Sequence, residues 1–245
     1  MFLDPTSSAA LGFILRVERI YATLIESASS TADPNLGGKL LFAGDLDDYG
    51  LALAVAGNIA GAATLAATAD LAAGKQALRE GVVDFLVTSL DEALRILKNE
   101  IRKRETVAVC VVISPAVLEL ESHDRGVQPD VVRSEAAPRN EETPFLTWRV
   151  ASASARWLPK LDAIALQCLG LARDPLADSA RRWVRLAPRY LGRQAQSIRL
   201  MRCTPEFHAA FVEQVRSAVK NAEIPVEVQV RFKGSGIDDN QAISP

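Results

Sequence analysis

GGKLLFAGDLDDYGLALAVAGNIAG, residues 37–61, decides how the rest of this chain is read. Lys39 to Ala43 is an apolar run with the length of a buried strand. Gly44 to Asp48 is a sharp turn, and an Ala-rich helix starts around Gly50. In a doubly wound α/β domain, ligands bind at the carboxyl end of such a strand, over such a turn. Here the turn contains three carboxylates: Asp45, Asp47 and Asp48.

Strand and helix patterns alternate outward from this stretch. The helix is expected to end near Gly57-Asn58, which suit a C-cap. AATLAAT (62–68) reads as a second strand, residues 71–80 as a helix stopped by Gly81, and VVDFLV (82–87) as a short third strand. SLDEALRILKNEIRKR (89–104) opens on a capping box, with Ser89 as N-cap and Glu92 three residues later. Its acids crowd the start and its bases the end, as the helix dipole favours. TVAVCVVI (106–113) is a continuous apolar run of the kind found in central parallel strands. A short helix from Pro115 and a fifth strand over 127–132 follow. Upstream, residues 8–29 show helical apolar spacing, ended by Pro34 and Gly37-Gly38. The alternation predicts an α/β fold: a parallel sheet with right-handed crossover helices.

Beyond residue 135 the pattern changes. RSEAAPRNEETPFL (133–146) reads as a loop or linker. Residues 149–173, 178–199 and 205–221 read as helices, with breaks at Pro175 and Pro188, and IPVEVQVRF (224–232) as one strand with a wet face. The organisation expected is an α/β domain over 1–135, a mostly helical extension over 136–232 packing on it, and a disordered tail over 233–245.

Composition limits the function classes. A net charge of −2 gives no general attraction to nucleic acid or to an anionic membrane surface. Cys110, Cys168 and Cys203 are far apart with no CxxC pair, which fits a reducing, cytoplasmic setting. Only His123 and His208 are available as imidazole ligands, so no metal site is expected. The uncharged stretch between Asp48 and Asp70 is long enough to span a bilayer. Its Ala and Gly content and its breaks at Gly57, Asn58 and Gly61 favour a buried helix and strand instead.

Residues 38–132 resemble the central domain of urocanase (urocanate hydratase). Gly38-Lys39-Leu40 leads the first strand, and Gly50, Ala52, Ala56 and Gly61 follow at the family's intervals. Asp70, Gly81 and Asp84 precede TSLDEALR (88–95), and RGVQPDVV (125–132) is similar to the family's RGxxPDxV. The resemblance covers roughly residues 10–135. It implies a Rossmann-like domain and, in the family, an NAD that acts as an electrophile toward the substrate's imidazole. The family's core catalytic segments find no counterpart in this chain, so no catalytic residue is assigned.

The departures from the family fall at the cofactor. Family glycines stand where Asp45, Asp47, Asp48 and Leu51 stand here. The acid expected after the second strand is Thr68, and the family's DQTSAHDP loop is replaced by RSEAAPRN (133–140). Glycine lets a backbone approach pyrophosphate and aim N–H groups at it. Each aspartate adds bulk and like charge. The expectation is that NAD binding and hydratase activity are lost, leaving a structural, regulatory or interaction protein, as a homo-oligomer or with a protein partner.

The alternative is a small-ligand protein or enzyme that reuses the crevice of Gly44, Asp45, Asp47, Asp48, Tyr49 and Gly50 for a cation or cationic ligand. Structurally, the same acids would cap the turn and favour the start of the helix. His123-Asp124 reads as a surface pair, and Cys110 as a core thiol. Residues 181–202 hold seven arginines and no acid. Arg181 with Arg185, and Arg189 with Arg193, lie one helical turn apart. They form either an anion or partner patch, a solvated basic face, or a cover that neutralises the acidic turn.

Overall fold

The computed structural model describes residues 5–28, 35–137, 143–171, 177–234 and 236–245. Pro34, Pro175 and the end of the 133–140 segment lie outside them. Two compact units are present: Arg19–Arg139, and Met1–Glu18 with Asn140–Pro245. The division falls within the first helix, α1 (Pro5–Ala28).

The first unit is a five-stranded parallel sheet, β1 (Leu40–Asp45), β2 (Ala63–Ala67), β3 (Phe85–Val87), β4 (Val107–Val111) and β5 (Val131–Val132), in the order β3-β4-β2-β1-β5. Its crossovers are α2 (Asp48–Ala60), α3 (Leu71–Arg79), α4 (Leu90–Lys103) and α5 (Pro115–Asp124). β2 and β4 are buried at every position, which explains their unbroken apolar runs. Leu65, Val109, Leu90, Leu97 and Leu118 belong to one core cluster.

The expected stop of α2 at Gly57-Asn58 does not occur. The helix runs to Ala60 and is capped by Gly61 at φ 93°. Gly57 serves close packing instead, since a Cβ there would lie 2.6 Å from Leu41 Cδ2 and 2.9 Å from Thr64 Oγ1. Asn58 is buried and donates from Nδ2 to Val82 O. The helix is buried from Ala52 to Ala60, which accounts for its lack of charge. Among the described residues, no helix is long and apolar enough to cross a membrane.

The amino ends of two strands are fixed by carboxylates that precede them. Asp84 Oδ2 accepts from Ala108 N at 2.8 Å. Asp130 Oδ2 accepts from Leu40 N at 2.8 Å, and its Oδ1 pairs with Lys39 Nζ at 2.9 Å.

The second unit departs from the expected helical extension. It carries a four-stranded antiparallel sheet, β6 (Phe145–Val150), β7 (Arg199–Arg202), β8 (Val228–Gly234) and β9 (Ile237–Ile243), in the order β7-β6-β8-β9. α6 (Ser154–Leu171), α7 (Ala177–Tyr190) and α8 (Pro205–Lys220) complete it, with a 3-10 turn over Gly192–Ala195. Pro188 lies inside α7, which ends two residues later. Residues 149–150 and 199, expected to be helical, lie in strands, at the end of β6 and the start of β7. Arg199 Nε meets Asp162 at 3.0 Å, with both side chains 13% exposed. Asp162 also accepts from Trp148 Nε1. The expected disordered tail instead pairs with β8 as β9, after a tight turn with Gly236 at φ 76°.

Candidate functional site

The strand order puts the loops after β1 and β5 side by side, because β5 is β1's outer neighbour. This is the sheet's carboxyl edge, where α/β folds bind ligands. β1 approaches it through a register shift between Phe42 and Gly44, with Gly44 at φ 69°. Asp45 ends β1, and Asp47 is the N-cap of α2. Its Oδ1 accepts from Gly50 N at 2.8 Å. Asp48 lies in the first turn, where its charge suits the helix dipole. Thus Asp47, and not Asp45, is the cap of this helix. Gly50 cannot carry a side chain, since a Cβ there would lie 1.8 Å from Asp45 O.

A residue not singled out from the sequence dominates the turn. Arg133, directly after β5, lays its guanidinium over it. Nη1 donates to Asp45 O at 2.8 Å and to Ala43 O at 3.3 Å. Nη2 reaches both oxygens of Asp47, at 2.8 and 2.7 Å. The same guanidinium lies 4.9 Å from the centroid of the Tyr49 ring. Arg133 also covers the bare faces of both glycines. A Cβ at Gly50 would lie 3.2 Å from Nη1, and one at Gly44 would lie 3.5 Å from Arg133 Cδ.

These contacts set the charge state of the turn. Burial pushes the Asp47 carboxyl up, but the hydrogen bond and charge of Arg133 and the Gly50 N–H outweigh it, leaving Asp47 below the ordinary carboxylate range. Burial raises the Tyr49 phenol, against the pull of Arg133. Cys110 is buried on β4 and its thiol is pushed up to about 12, first by burial and then by the Asp45 charge, so it is no nucleophile at neutral pH. Thr68 is buried, and its Oγ1 accepts from Asp70 N at 3.2 Å. Asp70 in turn caps α3 by accepting from Ala72 N. Among the described residues, no three His, Cys, Asp or Glu side chains gather as a metal-ligand set.

The arginine-rich segment separates into two kinds of residue. Arg181 pairs with Asp178 at 2.5 Å and donates to Leu169 O, and Arg199 and Arg202 pair with Asp162 and Glu18. Arg185, Arg189 and Arg193 are exposed. The interleaved Trp183 is buried and donates from Nε1 to Leu200 O, so it offers no stacking face. His123 lies in the last turn of α5.

The sequence profile of the urocanase Rossmann-like domain matches residues 17–143. A curated relative, the S-methyl thiourocanate hydratase of Variovorax sp. (strain JCM 16519 / RA8), is 27% identical over 169 residues. That alignment takes in 69% of this chain and 30% of the hydratase, so the chain spans under a third of that relative's length. The profile match runs over more than half of the chain and takes in the whole parallel sheet, and on that ground the chain belongs to the urocanase family.

Proposed function

We propose that this chain keeps the frame of a urocanase-type domain while its dinucleotide crevice has been given over to an internal ion pair, and that it acts as a structural, regulatory or interaction protein. The observation that carries this reading is Arg133. Its guanidinium lies over the turn, beside both glycines, and is held by two backbone carbonyls through Nη1 and by both Asp47 oxygens through Nη2. A pyrophosphate placed there would have to displace it and then face Asp45, Asp47 and Asp48. Each carboxylate–phosphate pair at about 4 Å costs roughly 4 kcal/mol at an effective dielectric of about 20. Gly50 N, which would point at a phosphate, is already bonded to Asp47. The residues present do not fit NAD.

Titration calorimetry of the full chain with NAD tests this reading. No saturable heat is expected at millimolar cofactor, whereas a micromolar dissociation constant would overturn it. A thermal-shift panel of divalent ions and small amines addresses the alternative use of the crevice. A cationic ligand there competes with Arg133 for Asp47, so it should bind more tightly to Arg133→Ala than to the parent. The interaction role is read by light scattering on the eluting protein, with a mass above 26.4 kDa expected if the partner is a second copy.

A further inference from the structure

We propose that the cleft between α8 and the β8–β9 hairpin binds a small zwitterion, an α-amino acid with an apolar side chain. The cleft lies outside residues 17–143, so the family match assigns nothing to it. Its volume is about 390 Å³, within the range of small-molecule sites.

Its polar groups are arranged in a line. His208, on the first turn of α8, is 9% exposed and stacks on Phe232, with ring centroids 4.8 Å apart. Its Nε2 is buried with no hydrogen-bond partner and stands 3.6 Å from Asp239 Oδ2, too far for a hydrogen bond. A buried polar atom left this way calls for a partner. Asp239 Oδ2 accepts from Gln241 Nε2 at 2.6 Å, and Gln241 Oε1 accepts from Arg216 Nη2 at 2.7 Å. The Gln241 amide therefore holds a carboxylate and a guanidinium apart at its two ends.

The ligand class follows from this line. Asp239 and Arg216 cancel, so the favoured ligand carries no net charge but has separated ends. An ammonium suits the Asp239 carboxylate, while His208 Nε2, closed to solvent, stands behind it. Burial holds His208 below its ordinary value, against the pull of Asp239, so the imidazole is neutral at pH 7. The guanidinium of Arg216 retains N–H groups that suit a carboxylate. Val212, Phe232 and Ile237 supply the apolar wall, and Ile237 is 46% exposed on the hairpin, which such a side chain would cover.

Calorimetry with L-leucine on the full chain tests the proposal, with 3-methylbutan-1-amine and 4-methylpentanoate as probes lacking one charge. L-leucine should bind saturably, and each single-charge probe at least tenfold more weakly. Asp239→Asn and Arg216→Gln should each weaken L-leucine at least tenfold at an unchanged melting temperature, while Arg193→Gln, outside the cleft, should not. Absence of saturable binding by leucine, valine and phenylalanine at 20 mM would overturn the proposal. So would equal affinity in Asp239→Asn, or tighter binding of the amine than of the amino acid.

Discussion

The two ends of the parallel sheet use the same side chain for different ends. At the amino edge, Asp84 and Asp130 accept from the backbone of a neighbouring strand and join β3 to β4 and β5 to β1. At the carboxyl edge, Asp47 caps α2 and holds Arg133. The first pair satisfies donors that every such sheet has, so it is independent of any ligand. The second exists only because β5 delivers an arginine where an α/β fold ordinarily receives its ligand. Backbone acceptance is common to both edges; what marks the carboxyl edge is the guanidinium that Arg133 lays over the turn.

That comparison can be broken at several points. The largest effect is expected at the carboxyl edge from packing alone. Gly50→Ala forces a Cβ into Asp45 O and should cost about 3–5 kcal/mol in urea unfolding. A loss under 1 kcal/mol would mean that the turn relaxes freely. At the amino edge, Asp84→Ala and Asp130→Ala each leave a strand N–H unpaired and should cost about 1–3 kcal/mol. The ion pair comes last: a double-mutant cycle of Asp47→Ala and Arg133→Ala should give a coupling of about 0.5–1 kcal/mol, because both side chains remain partly in water. Its sign with pH is fixed. Asp47 titrates below its ordinary value, so the coupling is fully present above the ordinary carboxyl range and disappears as pH falls through the lowered folded value.

His208 gives an opposite chemical case with the same direction. Its folded value is depressed, so the unfolded chain takes the proton first. Stability is then complete above about pH 6.5 and declines as pH falls through the folded value. The decline in urea midpoint over that window should flatten in His208→Gln.

Much of the first unit was legible in the sequence because its signals are local. Ser89 accepts from Glu92 N as the capping box requires, and the apolar runs of β2 and β4 are buried throughout. β8 alternates as expected, with Val228, Val230 and Phe232 buried. The errors arise where a tertiary partner overrides a local pattern. The helical reading of 178–199 ran on to Arg199, whose counter-charge, Asp162 on α6, is supplied only by the fold. β9 has one buried residue, Ile243, so hydropathy gave no cue, although the glycines at 234 and 236 in the sequence before it did. At the candidate site, the Asp47 cap follows from spacing. Arg133 does not, because only the strand order brings the end of β5 beside β1 across 86 residues of chain.

The Arg133 contact also changes how this domain answers to its surroundings. A protein that completes a turn with a free cofactor gains stability by mass action, so its melting temperature follows the cofactor pool. Here the counter-charge is tethered to the polypeptide and its local concentration never varies. The turn is completed by folding itself, and under the function proposed above the domain's stability would not follow the concentration of a dinucleotide around it.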